Sequence, residues 1–302
     1  MKLGRYSKEP WQDTGLLLRG AKFSASERTW ILDELESRIL EGNLPIEESQ
    51  RWIEDLCDRA AKGEPLQYLL GRWGFRALEL IVDPRVLIPR PETELIVDVI
   101  GEILSKNSVQ RSSTEDEVIV VEVGVGSGAI ALSVASEFDF VKVYGTEVSS
   151  EALEVAAANL RKISRDLDES LLNHVEFLLG SFFDPLPTFL RDRVGVVVSN
   201  PPYLSEELYR CAPETVRNYE PKIALTPGQS GLEAIEVIVR ESTRWLVPGG
   251  ALVVEISPEQ EQATRSLFDK WGFLEVDVLL DLAGRQRFVK GVRHGVRFHP
   301  NC

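Results

Sequence analysis

The chain reads as an α/β protein, a doubly wound domain built on a mostly parallel sheet and preceded by a small all-helical domain. Apolar residues recur at helical spacing before Gly63, Val/Ile-rich runs alternate with amphipathic segments from Val118 onward, and those runs are apolar almost throughout. Alternation of that kind means βαβ units, and near-continuous apolar strands belong to a sheet covered on both faces. The 302 residues leave room for two domains at about 150 residues each.

Ser24-Ala25-Ser26-Glu27 matches a capping box, Ile31, Leu35 and Ile39 follow at helical spacing, and Gly42-Asn43 supplies a stop. Pro45 opens a second amphipathic helix whose stripe is Ile53, Leu56, Cys57 and Ala60, ending near Gly63. Residues 1–71 are therefore expected to form a helical N-terminal domain. From Gly71 to Pro91 aromatic and β-branched residues are broken by Gly and Pro, which predicts a hairpin or extended linker, set at residues 72–90. The second domain then spans 91–302.

Within it a helix is expected over Glu92–Leu104 and a surface loop over Lys106–Glu117. Strand Val118–Val123, helix Ala129–Phe138, strand Lys142–Val148 and helix Ser150–Ile163 follow. Strands Val175–Gly180 and Val194–Asn200, helix Leu232–Leu246, strand Ala251–Ile256 and helix Glu261–Gly272 complete the alternation.

The net charge of -14, from 34 basic and 48 acidic residues, repels phosphate backbones, so direct nucleic-acid binding is not expected. The one basic cluster, Arg285, Arg287, Lys290, Arg293 and Arg297, reads as a solvated edge strand. Cys57, Cys211 and Cys302 are isolated and read as reduced, mostly buried thiols, and His174, His294 and His299 form no ligand motif. No metal is expected. No apolar run approaches the ~20 residues that cross a bilayer, and the first residues lack a presequence pattern. A cytoplasmic monomer without membrane contact is the expectation.

Between the first strand and its helix lie Gly124, Val125, Gly126, Ser127 and Gly128. Glycine lets backbone approach a ligand, and a helix N-terminus offers oriented N–H groups, so a nucleotide-like cofactor belongs there. The spelling also satisfies the dinucleotide fingerprint, and Glu147, ending the next strand, suits a ribose in either case. Glu122, just before the glycines, favours a cationic methionine moiety over a pyrophosphate that a carboxylate would repel. That points to S-adenosylmethionine.

Ser199-Asn200-Pro201-Pro202-Tyr203 ends a buried strand on a rigid corner. An amide or exocyclic amine has a delocalised nitrogen lone pair and becomes nucleophilic when its N–H groups are held by aimed acceptors. Asn200 can offer its side-chain oxygen and Pro201 a backbone carbonyl from a chain of fixed φ. Pro202 stiffens the corner, and Tyr203 is expected to lie over the planar acceptor, fixing it in line with the methyl donor.

Further segments narrow the acceptor. GEPLQYLLGRWGF at Gly63–Phe75 and VLIPRPETELIV at Val86–Val97, with GSGAIALSVA, SNPPY, YEPKIAL, LVPGGALVVEI and DLAGRQR, closely resemble release factor glutamine methyltransferases, the HemK/PrmC family. The similarity covers most of Gly63 to Arg287. It implies a Rossmann-like class I methyltransferase domain over 91–302 that uses S-adenosylmethionine. The implied substrate is the Gln side-chain amide of the Gly-Gly-Gln motif in class I peptide chain release factors, with residues 1–71 recognising that partner.

By the same resemblance Gly124 to Gly128 would line the methionine portion, Glu147 the ribose and Phe182 the adenine. Asn200, Pro201 and Tyr203 would be catalytic, with Pro202 completing the substrate pocket and Asn200 also touching cofactor. The chain departs from the family's common Asp at Glu122 and Glu147, Thr at Val125 and Trp at Phe182. Pro89, Arg90, Pro91, Thr93 and Glu94 would either floor the acceptor pocket or only stiffen the linker. Glu255 would either face the pocket or end its strand in solvent. Rival readings are an adenine-specific DNA or RNA amino-methyltransferase, an NAD-dependent oxidoreductase and a catalytically idle binding protein.

Overall fold

Ser24 starts the first helix, α1 (Ala25–Leu40). Its hydroxyl accepts the Glu27 N–H at 3.2 Å while the Glu27 carboxylate accepts the Ser24 N–H at 2.7 Å, which satisfies two donors that a helix end otherwise leaves open. Ile31 and Leu35 of α1, Ile53 and Leu56 of α2 (Ser49–Ala61), and Leu66, Leu69 and Leu70 of α3 (Leu66–Leu70) close over their own core with Leu18. The computed structural model describes residues 18, 23–108 and 117–295.

Gly71, at φ +75°, ends α3 in the left-handed region and turns the chain into an antiparallel hairpin, β1 (Arg72–Phe75) and β2 (Leu78–Ile81). The hairpin faces back toward α1, where Trp73 meets Trp30 edge-on at 5.3 Å and Arg72 pairs with the buried Glu34. The extended residues that follow lead to a 3-10 turn, Pro91–Glu94, and helix α4 (Leu95–Ser108). The helix expected to begin at Glu92 thus starts at Leu95, because the preceding residues tighten into the turn that carries Thr93 inward. It also continues into the stretch read as loop; residues 109–116 lie outside the described residues.

The alternating region comprises β3 (Val118–Val123), α5 (Ala129–Glu137), β4 (Val141–Glu147), α6 (Ser150–Asp166), the short α7 (Leu171–His174) and β5 (Val175–Leu179). β6 (Val194–Ser199), α8 (Glu206–Cys211), α9 (Glu214–Tyr219), α10 (Glu233–Ser242) and β7 (Leu246–Glu255) follow, then α11 (Glu261–Lys270), β8 (Phe273–Leu280) and β9 (Gln286–Arg293). The sheet order is β5-β4-β3-β6-β7-β9-β8, parallel from β5 to β7 and antiparallel at β9. Two apolar layers cover it, one including Ile96, Ile100, Leu132 and Val155, the other Ile235, Val239, Trp245 and Phe268. This is the doubly wound, Rossmann-like architecture, with its strand order reversing between β3 and β6.

Three expectations need correction. Leu246 does not end a helix: α10 stops at Ser242, and Leu246, fully buried opposite Val194, begins β7. The basic strand is not an edge. β9 lies between β7 and β8, where Phe288 and Val289 are buried and the cations find acids: Arg287 with Asp281 and Glu255, Lys290 with Asp277, Arg293 with Asp192. Arg297 lies outside the described residues. Cys211, on α8, is exposed and Cys57 half-buried; Cys302 and His299 lie outside the described residues. Among the described residues no helix is long and apolar enough to cross a membrane.

Candidate active site

The strand order reverses between β3 and β6, so the helices leaving them depart on opposite faces and their carboxyl ends frame a crevice. A cavity of ≈ 460 Å³ opens there, within the size range of small-molecule sites. Ser199 holds the two strand ends in register, its hydroxyl donating to the Val123 carbonyl at 2.6 Å.

Gly124 and Gly126 sit at φ +80° and +56°, and a Cβ at either would meet nothing within 4 Å, so both present bare backbone to the cleft. Gly128 serves packing instead, since a Cβ there would stand 2.9 Å from Leu132. Val125 and Ser127 complete the loop and line the cavity. Glu147, almost fully buried at the end of β4, accepts the Gly126 N–H at 2.9 Å through one oxygen and the Ser149 N–H at 3.0 Å through the other. The carboxylate is thereby fixed, and each oxygen keeps a lone pair for a ribose hydroxyl.

Glu122 lines the cavity but is turned under the loop, accepting the Ala131 N–H at 2.8 Å in the first turn of α5. Burial pushes its carboxyl well above the ordinary range, with the neighbouring Glu147 adding to the shift against the Ala131 hydrogen bond. Phe182, beyond β5, borders the same cavity at φ +47°, a left-handed conformation rare for so bulky a residue.

Asn200, Pro201 and Pro202 all line the cavity. The Asn200 Nδ2 donates to Thr93 Oγ1 at 3.2 Å, and Thr93 Oγ1 donates to Glu255 Oε2 at 2.7 Å. Tyr203 departs from its expected position. It is not among the residues lining the cavity; its hydroxyl points to Glu255 Oε1 at 3.5 Å, and burial pushes its pKa up to about 12. The backbone explains the turn: the Tyr203 carbonyl accepts from Gln260 Nε2 at 2.9 Å and packs so closely on Gly231 that a Cβ there would lie 2.4 Å away.

Sequence reasoning left the roles of Thr93 and Glu255 open. Glu255 ends β7 at 1% exposure. Burial raises its pKa to about 7, against the Thr93 hydrogen bond and the Arg287 cation. Pro89, Arg90 and Thr93 line the cavity, as do Arg85 to Leu87, whereas Pro91 and Glu94 are not among the lining residues. Arg90 Nη2 donates to the buried Glu220 at 2.6 Å, and the other Glu220 oxygen accepts the Ile88 N–H at 3.3 Å. Tyr68 adds a hydrogen bond to the Val86 carbonyl at 2.6 Å. The segments IPRPETE and YEP carry this signal in the sequence, and their meeting in space shows which side chains turn inward.

A family model described as "Methyltransferase small domain" matches residues 97–216. A protein of Rhodopirellula baltica is 34% identical over 251 residues, 82% of this chain and 79% of that one. One of Caulobacter vibrioides is 37% identical over 242 residues, 80% of this chain and 78% of that one. Both carry the name release factor glutamine methyltransferase. Among solved structures, the human METTL16 catalytic domain in complex with MAT2A 3'UTR hairpin 1 superposes with a TM-score of 0.54 at 14% identity, covering 76% of this chain and 79% of that one. That likeness concerns the fold.

Proposed function

The chain belongs to the release factor glutamine methyltransferase family, and on that premise we propose that its cleft methylates the Gln side-chain nitrogen of the Gly-Gly-Gln motif in a class I peptide chain release factor. One observation carries the residue assignment. Asn200 borders the same cavity as Gly124, Gly126 and Glu147, and one N–H of its amide is held by Thr93, which fixes the carboxamide so that its oxygen is the acceptor offered to an incoming carboxamide.

The cleft suits S-adenosylmethionine on its own geometry: bare glycine backbone, an oriented carboxylate for a ribose diol and an aromatic ring at the rim. When bound, that cofactor supplies a methyl group on a positively charged sulfur. In this reading Gly124 to Gly128 hold its methionine portion, Glu147 the ribose and Phe182 the adenine. Asn200 Oδ1 and the Pro201 carbonyl accept the two N–H groups of the substrate amide, drawing its lone pair out of conjugation and aiming it at the donor. The proton that the nitrogen must shed on methylation passes to solvent, the nitrogen then being acidic enough to need no dedicated base. Pro201 and Pro202 keep that corner stiff. Tyr203 acts from outside the cavity, through its hydroxyl 3.5 Å from Glu255 Oε1.

Residues 1–71 are proposed to hold the release factor beyond the tripeptide, residues 72–90 to join the two parts, and residues 91–302 to carry the chemistry. Support comes from the separate core of the first helices and from Tyr219, whose hydroxyl donates to the Lys62 carbonyl at 2.9 Å and so ties those helices to the segment that carries Glu220. Direct nucleic-acid contact forms no part of the proposal, since the charge is -14 and the cations of β9 are occupied by acids. The proposal places the enzyme in the cytoplasm, where its release-factor substrate acts, and takes it to be a monomer.

The test is incubation with S-adenosylmethionine and a purified release factor, followed by peptide mapping. A single methyl gain on the Gly-Gly-Gln peptide is expected. Asn200→Ala should lower kcat by about a hundred- to thousandfold, by analogy with loss of one oriented oxyanion-hole donor. Wild-type turnover in that variant would refute the role given to Asn200.

A further inference from the structure

Three groups from distant parts of the chain form a short relay beside the reacting corner. Thr93 projects from the 3-10 turn before α4, Glu255 from the end of β7, and Asn200 from the end of β6. Thr93 is 4% and Glu255 1% exposed, so bulk water competes little for either. A hydroxyl has one proton to give and lone pairs to accept with; a carboxylate can only accept. With the Thr93 proton committed to Glu255 at 2.7 Å, the only bond that Oγ1 can add is one it accepts. A carboxamide donates only through nitrogen, and Asn200 Nδ2 stands 3.2 Å away. The orientation of Asn200 is therefore dictated two side chains upstream.

Resting on the methyl-transfer reading above, we infer that Thr93 and Glu255 are positioning residues of that reaction, locking the Asn200 carboxamide with its oxygen, not its nitrogen, toward the acceptor. Neither residue needs to touch substrate. If Glu255 takes up a proton, it can donate to Thr93 Oγ1, and Thr93 is then free to donate to Asn200 Oδ1. The same three side chains thereby turn the Asn200 nitrogen to the cleft, where it repels the N–H groups it must bind.

The groups facing Glu255 set where this happens. Arg287 of β9 lies 3.9 Å from Oε1 and is itself bonded to Asp281 at 3.3 Å; Tyr203 approaches Oε1 at 3.5 Å; Glu92, on the turn with Thr93, adds negative charge. Arg287 favours the ionised carboxylate, burial and Glu92 disfavour it, and the balance falls near neutrality.

The experiment compares wild type, Thr93→Val, Thr93→Ser and Glu255→Gln with a purified release factor, measuring kcat and KM from pH 6 to 9 alongside melting temperatures. Wild-type kcat should fall below about pH 7, the side on which Glu255 is neutral. Thr93→Val should lower kcat about ten- to a hundredfold at unchanged KM for S-adenosylmethionine, as misplacing a reacting group does. Thr93→Ser, which keeps the hydroxyl, should restore most of it. Glu255→Gln should lose activity and lose the acid limb as well. A wild-type kcat in Thr93→Val, a loss that Thr93→Ser does not repair, or an acid limb that survives Glu255→Gln would overturn the inference. The wild-type pH profile tests it even if a variant does not fold. A wild-type enzyme inert toward the release factor would overturn the underlying reading instead, and the inference with it.

Discussion

Asn159 is fully buried on α6 and fastens two pieces of chain that no strand pairing joins. Its Oδ1 accepts the Ile81 N–H at 2.7 Å, and its Nδ2 donates to the Ile81 carbonyl at 3.0 Å and the Ser127 carbonyl at 2.9 Å. Asn159→Ala removes all three bonds. The Ile81 groups are half-buried and recover partial hydration, at a cost of about 1 kcal/mol each, whereas the buried Ser127 carbonyl is stranded at about 2 kcal/mol. A loss of about 4 kcal/mol is thus expected, a large fraction of the 5–15 kcal/mol typical of a folded protein. Urea unfolding of wild type and variant, compared at equal slope, reads it directly. S-adenosylmethionine affinity should fall in parallel, because Ser127 belongs to the glycine loop. A change below about 1 kcal/mol would refute the reasoning, since one buried and two half-buried bonds would then together have contributed less than one ordinary one.

Glu255→Gln should also change how stability varies with pH. The carboxyl is raised from 4.5 to about 7 by burial, so its ionised form is the costly one: no penalty below pH 4.5, a growing one up to about 7, and the full one above. Relative to wild type, the variant should gain up to about 3 kcal/mol between pH 4.5 and 8 in denaturant unfolding; a pH-independent difference would contradict this. Arg90→Ala should cost about 1–3 kcal/mol by leaving the buried Glu220 with only the Ile88 N–H, a figure held down by the partial exposure of Arg90. Thermal melting checks it, and Arg90→Lys should recover only part. Gly145→Ala should weaken S-adenosylmethionine binding, because a Cβ there would stand 2.4 Å from Val125 and 2.9 Å from Phe177. Overpacking of that kind costs about 1–3 kcal/mol, and calorimetric titration showing wild-type affinity would count against it.

What could be read in advance was local. The capping box at Ser24, the run VIVVEV, the glycine loop and Asn-Pro-Pro-Tyr each carry their meaning within a few neighbouring residues. Partners far apart in the chain carried none: Thr93 meets Glu255 across 162 positions, Ile88 meets Glu220 across 132, and Ile81 meets Asn159 across 78. A charged strand end such as Glu255 looks solvent-bound until the turn at Pro91–Glu94 folds over it. β9 was misread for a related reason, since five cations in a short span suggest an edge until Asp192, Asp277 and Asp281 arrive from elsewhere. Tyr203 was aimed wrongly because Gln260 and Gly231, which clamp its backbone, sit in other elements.

The strip from Arg85 to Arg90 is at once the tether of the front helices and a wall of the cavity, pinned by Tyr68 on one side and Glu220 on the other. A lineage that exchanged its front helices for another module would import a foreign wall along with them. If those helices hold the substrate, as proposed, target choice and chemistry are not interchangeable cassettes in this architecture: they have to diversify together, or a graft must be cut downstream of Arg90 and refitted to Glu220.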